Sequence, residues 1–134
     1  VSALDGVASA LPALTRALKL QKRAARIGFD WPDAAPVMDK IREETAELQV
    51  EMDAGNGPGM VDELGDLLFS VVNLARHLDI DPEAALRAGN AKFERRFRHL
   101  EADLADQGLD PKDLDITALE AAWKNSKTHD NSTD

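Results

Sequence analysis

The stretch that decides the fold runs Met60-Val61-Asp62-Glu63-Leu64-Gly65-Asp66-Leu67-Leu68-Phe69-Ser70-Val71-Val72-Asn73-Leu74-Ala75-Arg76-His77-Leu78. Its apolar residues recur at steps of three and four, with no two-residue alternation, so the period is helical. They fill more than one stripe, and such a helix needs cover on several sides. It is predicted as the central element of an all-α protein. Glu63 and Asp66 lie about one turn apart within it, on one face. Acids at the edge of an apolar helix repel each other and resist desolvation unless a cation compensates.

The flanks extend the same pattern. Gly55-Asn56-Gly57-Pro58-Gly59 reads as a turn. Before it, residues 35–54 read as a helix carrying Val37, Ile41, Leu48 and Met52, with a second acid set at Glu43, Glu44 and Glu47. Leu11, Leu14 and Leu18 predict a first helix over residues 10–27, stopped by Gly28. Phe29-Asp30-Trp31-Pro32-Asp33 is predicted as a structured loop, because Pro32 drives Trp31 out of helical geometry. Downstream, Asp81-Pro82 supplies a cap and a first-turn proline for a helix over 82–106, ending near Gly108. Phe93 and Phe97, four apart, are expected in its core. Thr117-Ala118-Leu119-Glu120 fits a capping box and predicts a last helix through Lys127.

The expected fold class is thus all-α: an antiparallel helical bundle of about five helices, with the second to fourth at its centre. One domain is predicted over 1–127, followed by a polar tail over 128–134. The apolar run from Leu64 to Leu78 predicts a homodimer, two copies building a larger four-helix-bundle core.

The composition narrows the function classes. With 134 residues, 43% hydrophobic and 31% charged, the chain can bury a globular core. The absence of cysteine rules out a disulfide framework and a thiolate metal site, and it fits a reducing compartment. No apolar stretch can span a bilayer and no leader pattern is visible, so a cytoplasmic location without membrane contact is expected. A formal net charge of -9 disfavours nucleic-acid polymers as partners. The bases are nevertheless grouped, Lys19, Lys22, Arg23 and Arg26 in one set, Lys92, Arg95, Arg96 and Arg98 in another. Local basic groups in an acidic chain suit a small anionic ligand.

A short turn between the two acid-bearing helices makes them antiparallel and sets Glu43, Glu44 and Glu47 opposite Glu63 and Asp66. Oxygen donors at this density suit Mg²⁺, with Mn²⁺ as a substitute. Mg²⁺ retains waters and completes its shell with substrate phosphates. No Glu stands three residues before a His, so a di-iron bundle is excluded, and no phosphate-binding Gly-rich loop with Lys-Ser/Thr is present. His77, His99 and His129 read as helix-surface or tail residues. The plain alternative is a non-catalytic helical interaction module whose acids are a solvated face. Acids inside the most apolar helix weigh against it.

Four segments in order resemble the MazG nucleoside triphosphate pyrophosphohydrolases, specifically the C-terminal type of MazG domain in the all-α NTP pyrophosphatase superfamily. They are Arg26-Ile27-Gly28-Phe29-Asp30-Trp31-Pro32, the acids Glu43-Glu44-x-x-Glu47 with Glu63-x-x-Asp66, the helix from Gly65 to Phe69 continuing through Val72 to Leu78, and Asn90-x-Lys92-Phe93-x-x-Arg96-Phe97. The resemblance spans about Leu18 to Lys127. It implies Mg-dependent hydrolysis of a nucleoside triphosphate substrate to the monophosphate and pyrophosphate. It makes Glu44, Glu47, Glu63 and Asp66 the metal ligands, and Glu43, Glu44 and Glu47 the catalytic set, with Glu43 a further ligand or an orienter of the attacking water. It makes Asn90, Lys92 and Arg96 substrate contacts, with Arg95, Lys22 and Lys127 as further cations and Trp123 and Trp31 as stacking surfaces for the base. A narrower-substrate relative, a dUTP or phosphoribosyl-ATP pyrophosphohydrolase, is the alternative within the superfamily. Housecleaning of the nucleotide pool is the role the resemblance suggests. The chain is then either a stand-alone module or the catalytic half of a two-domain protein.

Overall fold

A computed structural model gives the backbone of residues 1–131 and the side chains of residues 1–128. Five α-helices and one 3-10 turn account for the described residues, with no strand among them: α1 Ala13–Arg26, α2 Ala34–Ala54, α3 Gly57–His77, α4 Pro82–Asp106, the turn Pro111–Asp113, and α5 Ile116–Asn131. The all-α expectation holds.

The boundaries follow from local chemistry. Pro12 (φ −51°) precedes α1, and Gly28 (φ +90°) lies just past its end. Asp33 caps α2, its side chain accepting from Ala35 N at 3.0 Å. Gly55 ends α2 in the left-handed region (φ +65°). The following helix starts earlier than its apolar period indicates. Asn56 caps it by accepting from Gly59 N at 3.3 Å, and Pro58 sits in the first turn, where its missing N–H costs nothing. Three of the five residues of the predicted turn are therefore helix, and α2 and α3 are joined by Gly55 and Asn56 alone. At the other end, the cap of α5 is Asp115, which accepts from Ala118 N at 2.8 Å. The predicted capping box at Thr117 is displaced by this acid two residues upstream. α5 also continues past Lys127 to Asn131, so the first part of the predicted tail is helical; residues 132–134 lie outside the described residues.

Because Gly55 alone supplies the left-handed conformation between α2 and α3, Gly55→Ala is expected to destabilise by about 1 kcal/mol or more. A urea midpoint unchanged from the parent would disprove this.

The chain forms two compact units, one over residues 1–85 and one from residue 86 onward. In the first, α2 and α3 pack against each other as a helical hairpin and α1 lies on α3. Val37 and Val72 are its fully buried apolar side chains, at 0% and 2% exposure. In the second, Leu100 and Leu104 are buried on α4, and the buried Ser126 of α5 donates its hydroxyl to the Arg96 carbonyl at 2.5 Å. Phe93 and Phe97 stack with centroids 5.8 Å apart but remain exposed, so they are not core residues as their spacing suggests.

Candidate functional site

The α2–α3 hairpin brings the two acid sets together. Glu44, Glu63 and Asp66 each offer a carboxylate oxygen, and these oxygens all lie within 4.8 Å of one another. Glu44 is buried, Glu63 half-buried and Asp66 exposed, so the set runs from the hairpin interior to its surface. Glu47, one turn beyond Glu44 on the same face, also faces Glu44 and Glu63 but stays exposed. Glu43 points elsewhere: its exposed carboxylate lies 3.6 Å from Lys40.

Charge balance in this set is uneven. Lys40, one turn before Glu44, reaches its carboxylate at 3.0 Å. That hydrogen bond holds Glu44 below the ordinary carboxylate range and raises Lys40 in return. Glu63 has no such partner. Burial, then the facing carboxylates of Glu47 and Glu44, push it up to about 7. One oxygen of Glu44 and one of Glu63 (Oε2 in each) are buried without a hydrogen-bond partner among the described residues. Two orphaned carboxylate oxygens in an all-oxygen donor set fit a hard divalent cation.

The sign of the Glu63 effect gives a testable consequence. The folded protein holds the Glu63 proton to about pH 7, whereas the unfolded chain releases it near 4.5. Without metal, stability is therefore lost as pH rises between those values, and the deficit is complete above 7. Glu63→Gln is expected to raise the metal-free melting temperature at pH 8 and leave it unchanged at pH 4. A variant less stable than the parent at pH 8 would show that Glu63 is not under this strain.

Two of the acids, Glu44 and Asp66, lie on the wall of an open cavity of about 690 Å³ lined by α1, α2, α3 and the loop between α1 and α2. Lys40, Glu44 and Asp66 line it, with Leu20, Ala24, Phe29, Trp31 and Phe69 as apolar walls and Gln21, Ser70 and Asn73 as polar points. A bidentate-like clamp holds its rim. Arg76 binds Asp30 through both terminal nitrogens, at 3.0 and 2.5 Å, and His77 Nε2 lies 3.0 Å from the same carboxylate. The Arg76 hydrogen bonds hold Asp30 down at about 2. His77 is thus engaged with the loop and largely buried, in place of the surface position its sequence context suggests.

The remaining predicted residues lie elsewhere. Trp31 is on the cavity wall. Lys22 is on the opposite face of α1, where it lines a separate cavity of about 350 Å³ with Lys19, Arg23 and Arg26. Asn90, Lys92, Arg95 and Arg96 belong to the second unit on α4, where Lys92 and Arg96 share a face. Trp123 on α5 packs against Phe93 with ring centroids 5.4 Å apart, and Lys127 is exposed. Lys40, Gln21, Asn73 and the Asp30–Arg76 pair are site features the sequence reading does not name. Lys40 was visible as an i, i+4 partner of Glu44, and Gln21 as a polar residue on the Leu14–Leu18 stripe. The Asp30–Arg76 pair joins residues far apart in sequence and leaves no local signal.

Residues 34–101 match the sequence model of the MazG nucleotide pyrophosphohydrolase domain. Over 128 residues the chain is 46% identical to the nucleoside triphosphate pyrophosphohydrolase of Escherichia coli K12, covering 94% of this chain and 49% of that protein. It is 42% identical over 120 residues to the nucleoside triphosphate pyrophosphohydrolase/pyrophosphatase MazG of Thermotoga maritima, covering 90% of this chain and 46% of that one. An uncharacterized protein of Bacillus subtilis, YabN, is 40% identical over 127 residues, which is 26% of its length. The chain thus spans about half the length of the named enzymes it matches.

Proposed function

The chain belongs to the MazG nucleotide pyrophosphohydrolase family, and from that membership we propose that it hydrolyses nucleoside triphosphates to the monophosphate and pyrophosphate with Mg²⁺. The observation that carries this reading is the Glu44–Glu63–Asp66 set with its orphaned oxygens, two of whose members, Glu44 and Asp66, line a cavity large enough for a nucleotide. When bound there, Mg²⁺ would polarise phosphate oxygens and offset the charge of the departing pyrophosphate.

The chain's own residues divide the remaining work. Glu44, Glu63 and Asp66 hold the cation, with Glu47 beside them as a fourth carboxylate. Lys40 fixes the Glu44 carboxylate through its 3.0 Å contact. Glu43 stays with Lys40 and takes no part in holding the cation or the attacking water. The apolar cavity walls and Trp31 exclude bulk solvent around the base. Asn90, Lys92, Arg95, Arg96, Trp123 and Lys127 are proposed as further substrate contacts; Lys22, which lines the separate cavity on the other face of α1, is not among them. Removal of unwanted nucleotides from the pool is the proposed role.

The same proposal includes a homodimer. α3 exposes Val61, Leu64, Leu68 and Val71 along one helical stripe, at 74%, 47%, 50% and 45% exposure. An apolar stripe of this length on a central helix favours cover by a second copy. Light scattering that gave the mass of a single chain at micromolar concentration would remove the dimer from the proposal.

³¹P NMR of each common NTP and dNTP, with and without Mg²⁺, tests the activity. Monophosphate plus pyrophosphate formed only with metal is expected. Diphosphate plus orthophosphate would place the attack at the γ-phosphorus and refute the proposed reaction.

A further inference from the structure

The basic group on α1 builds a second cavity that the proposed reaction does not use. Lys19, Lys22, Arg23 and Arg26 stand at i, i+3, i+4 and i+7, so they share one face of the helix. With residues 6–8 of the N-terminal segment they line a cavity of about 350 Å³. The rest of its wall is glycine and aliphatic, and no acid lies on it. The turn over this cavity is ordered. Asp5 N donates to the Ser2 carbonyl at 3.1 Å and Val7 N to the Leu4 carbonyl at 3.3 Å. Arg23 ties the turn to α1, its Nη1 donating to the Asp5 carbonyl at 2.6 Å. The Asp5 carboxylate is engaged by the Ser2 N–H at 2.8 Å.

Four cations on one helix face repel each other. The helix C-terminus offsets Arg23 and Arg26, which lie in the last turn. Lys19 and Lys22 precede that turn. Other cations of this acidic chain find carboxylates: Lys40 meets Glu44, Arg42 meets Asp39, Arg76 meets Asp30 and Arg98 meets Glu94. Among the described residues, none of the four on α1 meets one. Lys19, Lys22 and Arg26 are exposed and Arg23 half-buried, so an anion from solvent can reach them. Their long stems are flexible, and the charged ends can converge on an occupant.

We propose that this cavity binds a small oligophosphate without metal, apart from the carboxylate set on α2 and α3. Several positive charges around one small cavity call for a ligand with several negative charges in a short span. Phosphate oxygens accept from both guanidinium and ammonium groups. The wall offers no aromatic surface, so a nucleoside adds nothing to binding. A net charge of -9 disfavours a polyanionic polymer as the occupant.

The probe is inorganic tripolyphosphate, titrated into the full chain in EDTA, with the amide NMR signals of residues 6–8 as the local readout. Without metal, the carboxylate set repels phosphate and does not compete. Saturable shifts are expected. The double variant Lys22→Gln, Arg26→Gln is expected to weaken the Kd at least about tenfold, through the loss of two charge-assisted contacts. Lys92→Gln on α4 is expected to leave it unchanged, and ATP in EDTA to bind no more tightly than tripolyphosphate. Shifts that never saturate, a Kd unchanged in the α1 double variant, a Kd that depends on Lys92, or tighter binding of ATP would each overturn the proposal. The wild-type titration needs no variant to fold. All of these readouts are taken without turnover, so they stand or fall separately from the proposed reaction.

Discussion

Glu44→Ala and Asp66→Ala are each expected to lower NTP turnover about 10³-fold while the helices stay intact. The estimate follows from the several kcal/mol of charge stabilisation that a correctly held cation contributes, at tenfold in rate per 1.4 kcal/mol. Glu44 is the buried member of the set and the one whose geometry Lys40 fixes. Asp66 is exposed and can be removed with little structural effect. The fold should tolerate both changes. Removing Glu44 loses the Lys40 contact, but it also relieves the repulsion on Glu63, and the two effects oppose each other. Circular dichroism should therefore match the parent while ³¹P NMR shows no pyrophosphate on the parent's timescale. Near-parental rates at saturating Mg²⁺ in either variant would mean that the cation is held elsewhere.

Val37→Asp is expected to give the largest loss of stability, about 4 kcal/mol or more. Val37 is fully buried on α2 and cannot bring a carboxylate to water without separating the helices of the first unit. The hairpin that aligns Glu44 with Glu63 and Asp66 should open with it, so activity and Mg²⁺ binding disappear together. Glu44→Ala instead removes activity and leaves the fold. A cooperative, parent-like melt for Val37→Asp would show that the first unit is not organised around this position.

Much of this was legible in the residues. The period from Leu64 to Leu74 identifies α3, and a carboxylate pair within it singles out Glu63 and Asp66. The sequence sets all of Glu43, Glu44 and Glu47 against that pair, and only the packed hairpin separates Glu44 and Glu47, which face Glu63, from Glu43, which turns to Lys40. Helix starts were less legible. Asn56 and Asp115 outcompete signals that looked as good, because a cap is chosen by which side chain reaches a free N–H and several candidates lie within two residues. The cavity wall was hardest to read. Asp30 meets Arg76, and Gln21 meets Phe69, only after three helices have packed, so no window of sequence contains both partners. The same holds for Phe93 and Phe97. Their spacing places them on one face, but nothing in it says whether that face is covered.

The connection of Gly55 and Asn56 between α2 and α3 acts as a length gauge. One inserted residue in a helical path turns everything beyond it by about 100° and advances it by about 1.5 Å. Carried into α3, that turn would swing Glu63 and Asp66 off the face that Glu44 presents, and no side-chain rotamer spans the difference. The segment from Gln107 to Asp115, which carries none of the three carboxylates, is under no such demand. Libraries built on this scaffold should therefore accept insertions between α4 and α5 and reject even single-residue insertions between α2 and α3, so that the spacing from Glu44 to Glu63 is inherited as a fixed length whatever the residues between them become.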